Sequence, residues 1–190
     1  MELHYTNLLI VAAVGFASDP INTESPAFVH AYGLPPQNLD LWSGMIIGIF
    51  GTGAVTAAFV LAGRVAGSRR RMATTLTLLG CGVIGFAVSP WIGLGAAFLA
   101  VGGFGYLASN TSATSRLQLE VADHHRGRIM ALWSVAFLGL RPIASLADGA
   151  IADALGVREA GVVLAAPTLL LALVIVRVTS RRSKETFAVS

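Results

Sequence analysis

Charge is what this chain has least of. Asp, Glu, Lys and Arg make up 12% of its 190 residues, where a soluble globular domain carries roughly 25%. With 55% hydrophobic residues and a mean hydropathy of +0.72, the composition excludes a water-soluble domain and points to an integral membrane protein. Cysteine is nearly absent. The single Cys81 excludes an internal disulfide, and its place in an apolar run suits a small packing residue. Residues Met1 to Asn7 carry no positive charge, which excludes the basic start of a cleavable signal peptide; Leu3 onward is expected to be a retained first span. No Ser–His or paired-aspartate constellation falls within one span, so neither enzymatic activity nor a cofactor is expected.

What is present is a long uncharged run. From Met72 to Ser115 there is no Asp, Glu, Lys, Arg or His, with Arg69, Arg70 and Arg71 just before it and Arg116 just after. A bilayer's hydrocarbon core takes roughly 20 apolar residues per helical crossing, so the run predicts two crossings. The turn falls at Ser89-Pro90-Trp91-Ile92-Gly93, where Pro90 cannot continue a helix and Trp91 suits the headgroup layer. The whole chain divides in the same way. It is expected to be all-α: a single polytopic domain over residues 1–190 with six transmembrane helices at about 3–33, 41–63, 72–89, 93–118, 127–153 and 160–177.

The first span is overlong, and Pro20 and Pro26 predict a kinked or broken helix. It also holds Asp19, Asn22, Thr23 and Glu24. Polar groups at membrane depth are tolerated against protein or a water-filled cavity, so this span is expected to face the bundle interior. Gly44, Gly48, Gly51 and Gly53 in the second span, and Gly102, Gly103 and Gly105 in the fourth, read as sites of close helix approach. Gly51-Thr52-Gly53 has no strand before it and is not a nucleotide loop. Toward its end the fourth span turns polar: Ser109, Asn110, Thr111, Ser112, Thr114, Ser115. Serine and threonine bond their own helix carbonyls, so structural filler and a cavity-facing stripe both fit.

The fifth span contains Arg141 and Asp148, which a packing helix avoids. Counted from the start of each span, Asp19 and Arg141 lie at similar depths, roughly 24 and 21 Å at 1.5 Å per residue. They are expected to pair, with Asp148 as the rival partner of Arg141; the alternative is that Arg141 alone reaches a watery cavity. Glu24 falls nearer the outer surface.

Cations fix the orientation. Arg64, Arg69, Arg70, Arg71, Arg116, Arg126, Arg128, Arg177, Arg181, Arg182 and Lys184 lie on one side, and Arg158 alone on the other. Positive loops stay in the cytoplasm, so both termini are expected there, in a plasma or inner membrane. The pI of about 9.6 therefore marks topology rather than a nucleic-acid partner. His124-His125 have no third ligand nearby, and no metal site is expected.

Val121-Ala122-Asp123-His124-His125-Arg126-Gly127-Arg128-Ile129-Met130 resembles the V-P-D-x-x-R-G-R-V-M stretch between the tenth and eleventh helices of major facilitator superfamily exporters. Phe137-Leu138-Gly139 with Pro142, and Ala152-Asp153-Ala154-Leu155-Gly156, resemble the branch of enterobactin and drug exporters. Gly63-Arg64-Val65-Ala66-Gly67-Ser68-Arg69-Arg70-Arg71 is similar to the inner-loop motif G-x-x-x-D-R-x-G-R-R, with Gly67 in place of its aspartate. The resemblance implies the C-terminal six-helix half of a twelve-helix transporter, built as a 3+3 inverted repeat. Asn22-Thr23 and Asn110-Thr111 stand at opposite ends of the first and fourth spans, as such a repeat requires.

By the same resemblance the first and fourth spans line a cavity, making Asp19, Asn22, Thr23, Glu24, Asn110, Thr111, Arg141 and Asp148 its candidate lining. Arg64, Arg69, Arg70, Asp123, Arg126, Gly127 and Arg128 would form the inner-loop gating motif. The function implied is proton-coupled efflux of small amphipathic compounds. Expected partners are the lipid bilayer, a small-molecule substrate, and a separately encoded N-terminal half or a second copy of the chain. The alternative is a non-transporting remnant or an accessory subunit packed on another polytopic protein.

Overall fold

Prolines and glycines place most of the helix boundaries. The computed structural model describes residues 2–61, 68–120 and 126–188. α1 (Glu2–Thr23) holds Pro20 near its end, and the helix breaks at Glu24 before α2 (Ser25–Ala31). Pro26 sits in the first turn of α2, where its missing N–H costs nothing. The first span is thus broken, as its prolines predict. Gly33 takes a positive φ of 65°, which suits a residue without a Cβ, and a short 3-10 turn (Pro36–Asn38) leads into α3 (Leu39–Leu61). α4 (Arg69–Val88) starts at Ser68, whose hydroxyl accepts the Arg71 N–H and so caps the helix. α5 (Ile92–Glu120) completes the hairpin predicted from the uncharged run.

The fifth span departs from the single helix expected over 127–153. It consists of α6 (Arg126–Ser134), a π-helical turn (Val135–Gly139) and α7 (Arg141–Leu155). Pro142 has no N–H to give the Leu138 carbonyl, and its ring crowds the preceding turn; the ladder widens there. Gly156, at φ 114°, joins α7 directly to α8 (Val157–Ala188). α8 runs well past the end expected at 177 and carries the basic tail as helix.

Among the described residues five helices are long and apolar enough to cross a membrane, and Leu9–Thr23 is a shorter apolar helix that α2 extends. The packing repeats itself across the chain. α3 packs on α5 as α7 packs on α1, and α4 packs on α5 as α8 packs on α1; α1 meets α5, and α4 meets α8. The two three-span units therefore exchange equivalent contacts, the pattern of an inverted repeat. Ile10, Val14, Phe28, Leu76, Leu79, Phe86 and Leu99 fill the core between them.

Glycines set the closest crossings. A Cβ on Gly103 would overlap the Phe50 carbonyl, and one on Gly53 the Ala100 carbonyl, so α3 and α5 touch backbone to backbone. Gly82 lies in the same way against Gly102, and Gly105 against Leu79. Gly44, Gly48 and Gly51 correct the sequence reading: nothing lies within 4 Å of a Cβ placed there, because they face away from α5. Cys81 is a second correction. It is exposed on one stripe with Thr74, Thr77 and Val88, while Leu79, Gly80, Gly82 and Val83 turn inward. The outer surface is apolar, with Leu41, Val55 and Phe59 on α3, Leu146 on α7, and Leu170 and Leu173 on α8 all more than half exposed. Such a surface requires lipid or another apolar helix face against it.

Candidate functional site

The most polar part of the interior lies where α1 meets α7. Asp19 and Thr23 are one turn apart on α1, and Arg141, Ser145 and Asp148 follow a single face of α7. The packing of α1 on α7 turns the two stripes toward each other. Asp19 is 1% exposed and Asp148 is 0% exposed. Arg141 Nε stands 4.0 Å from Asp19 Oδ1, and Ser145 lies beside the same carboxyl group. Arg141 is the open side of the group, with its side chain 37% exposed; Tyr106 of α5 stands near it. Asp148 is not the partner of Arg141. Its Oδ2 lies 2.7 Å from Thr23 Oγ1, and Thr23 Oγ1 also lies 2.9 Å from the Asp19 carbonyl oxygen. Asp19 Oδ2 and Asp148 Oδ1 are buried with no hydrogen-bond partner among the described residues.

The other candidate residues divide. The Asn22 amide donates to the Ser18 carbonyl at 2.7 Å, and its side chain is exposed. Glu24 is half-buried at the start of α2 and makes no capping bond. On α5, Thr111 is exposed, and Asn110 is half-buried with Oδ1 lacking a partner among the described residues. Ser109 has a structural part: buried, it donates to Thr75 Oγ1 at 2.9 Å and ties α5 to α4. Of the inner-loop residues, Arg64 and Asp123 lie outside the described residues, as do the side chains of Arg126 and Arg128. Gly127 is exposed; Arg69 and Arg70 open α4, half-buried and exposed respectively.

Arg158 is the residue that the sequence reading missed. Its sign places it on the outer side, and there it ties the start of α8 to the C-terminal ends of α2 and α4. Its Nη1 donates to the Ala87 and Ser89 carbonyls at 2.7 and 2.8 Å, and its Nη2 to the Ala31 carbonyl at 3.1 Å. The guanidinium lies over the Tyr32 ring, 4.6 Å from its centroid, and the Tyr32 hydroxyl donates to the Phe86 carbonyl. These carbonyls stand at the C-terminal ends of α2 and α4, the negative ends of helix dipoles. The signal in the sequence was a lone cation on the wrong side of the charge asymmetry.

A concavity of about 340 Å³ opens away from this seam, between α3, α4 and α5 beside Thr52, Thr56, Leu78 and Phe104. Thr52 and Thr56 give their protons to the Ile49 and Thr52 carbonyls, which leaves the groove apolar.

Apolar helices of membrane-crossing length, two three-span units with exchanged contacts, and ionisable groups buried between the first and fifth spans define a multi-pass membrane transport protein. The family model described as Major Facilitator Superfamily matches residues 8–189, and the chain belongs to that superfamily of membrane transporters. No curated protein matches it.

Proposed function

We propose that this chain is the C-terminal half of a proton-coupled exporter of small amphipathic compounds, in the enterobactin and drug exporter branch. The observation that carries the reading is the pair of buried carboxyl groups, Asp19 and Asp148, with the half-exposed Arg141 between α1 and α7. Ionisable side chains inside a membrane bundle are costly and mark substrate or proton pathways. A packing helix has no use for them. Asp19, Asn22, Thr23, Glu24, Asn110, Thr111, Arg141 and Asp148 are the proposed cavity residues, and the Arg69 to Arg71 and Arg126 to Arg128 segments, with Arg64 and Asp123, the proposed inner gate.

The partner is a separately encoded N-terminal six-helix half or, failing that, a second copy. Alternating access rocks one bundle against another, and α3 and α7 each present a face with open glycines, Gly44, Gly48 and Gly51 on α3 and Gly149 on α7. By the distribution of cations the protein lies in the cell membrane with both termini cytoplasmic.

The test uses everted membrane vesicles from cells that express the chain with its partner half. Adding an amphipathic fluorescent dye should release protons from an energised lumen, and Asp19→Asn should reduce the release. Dye accumulation with no proton movement overturns the coupling, and an absence of both overturns transport.

A further inference from the structure

Thr23 has one proton and two oxygens to satisfy. Its Oγ1 is 2.9 Å from the Asp19 carbonyl, which can only accept, and 2.7 Å from Asp148 Oδ2. If the Thr23 proton goes to the carbonyl, the short contact to Asp148 needs a proton from the carboxyl group. O–H···O bonds of about 2.5–3.0 Å are normal, and a hydroxyl is both donor and acceptor. The charges agree with that assignment. Arg141, the cation of this seam, is committed to Asp19, and Glu24 adds a further negative group near Asp148. α8, packed on α7, keeps Arg158, Glu159 and Arg177 near the ends of its Val157–Thr179 span, and the π-turn holds no charged residue. A second carboxylate, fully buried and with no cation, is the costly state. A neutral carboxylic acid is not.

We propose that Asp148 is the proton-carrying group of this bundle, with Thr23 as its reversible hydrogen-bond partner and the Arg141–Asp19 pair as its fixed neighbour; this rests on the transport reading above for its use, though not for its chemistry. In the protonated seam the Asp148 O–H donates to Oγ1 of Thr23, itself an exposed residue, and Thr23 donates to the Asp19 carbonyl. When water enters beside the exposed Thr23, the Asp148 proton passes to that water. Thr23 then turns its own proton from the carbonyl to the carboxylate left behind. One proton leaves, no bond but the carboxyl O–H is broken, and the link between α1 and α7 reverses direction.

The test needs no substrate. Infrared difference spectra of the purified chain, titrated upward from about pH 5.5, where carboxyl groups of ordinary pKa near 4 are already ionised, should contain the C=O stretch of a protonated carboxylic acid, which a carboxylate lacks. Asp148→Asn should remove that band and Asp19→Asn should leave it. The unaltered chain provides a second reading. An apolar carbodiimide reacts with protonated carboxyl groups in apolar surroundings, and mass spectrometry should place the adduct on Asp148 and show its loss at alkaline pH. A band that survives Asp148→Asn, or an adduct on Asp19 instead, overturns the proposal. If the band and adduct are found on Asp148 in a chain whose vesicles move neither dye nor protons, the proton assignment stands and the transport reading falls.

Discussion

Thr23 Oγ1 lies 2.7 Å from Asp148 Oδ2, across the seam between the first and fifth spans. This bond joins residues far apart in the chain at the point where α1 is about to break. It is also the one side-chain hydrogen bond that Asp148 makes among the described residues, so its loss leaves a buried carboxyl group bare.

Thr23→Val keeps the shape of the side chain and deletes the hydroxyl. Stranding a buried polar group costs about 1–3 kcal/mol, so thermal unfolding in detergent should show a clear loss of stability. Thr23→Ser restores the hydroxyl and should stay close to the parent. Equal losses for both variants would mean that the methyl packing of Thr23, not its hydroxyl, holds the seam.

Asp19 and Arg141 form a pair that a double-mutant cycle can measure. Removing Arg141 leaves the buried Asp19 carboxylate uncompensated and removing Asp19 leaves a half-exposed cation without its partner, whereas removing both leaves neither. Asp19→Asn and Arg141→Gln should each lower membrane abundance more than the double variant does, with a coupling of about 1 kcal/mol or more. Additive losses would show two independent residues.

Arg158 should be essential to the end of the bundle that it clamps. Arg158→Ala strands the Ala87, Ser89 and Ala31 carbonyls at once. Arg158→Lys keeps the charge but lacks the planar fork that reaches several acceptors, so it should recover little of the loss. Full rescue by lysine in an unfolding assay would reduce the clamp to simple charge.

The glycines of α3 should separate folding from assembly. Gly53→Val drives a side chain into the Ala100 carbonyl and should prevent the bundle from forming. Gly48→Val meets nothing within 4 Å, so it should leave the chain's own unfolding unchanged while weakening copurification with a partner half. A destabilised Gly48→Val chain would place an internal contact on that face.

The helices were legible in the sequence because a membrane span is written in composition: an uncharged run of fixed length with cations at its ends. The break at Glu24 was legible from Pro20 and Pro26, and the depth match of Asp19 with Arg141 from rise per residue alone. The π-turn was not, although Pro142 was in view, because one missing N–H can be absorbed by a kink, a break or a widened turn. Nor was the choice between Asp19 and Asp148 as partner of Thr23, Arg141 or neither, since that depends on the rotation of α7 about its axis. Cys81 and Gly48 went the same way: in an all-apolar helix, hydropathy does not say which face is core and which is lipid. Arg158 stood out by sign but not by partner, because backbone carbonyls at helix ends leave no trace in a sequence.

Flux through liposomes carrying the purified chain tests the central claim most directly. With a pH gradient imposed, the chain alone should move no amphipathic dye, and liposomes carrying it with its N-terminal half should accumulate the dye, an activity that Asp148→Asn abolishes. Accumulation by the chain alone, shown to be monomeric in the same liposomes, would contradict the reading of this bundle as one half of a transporter.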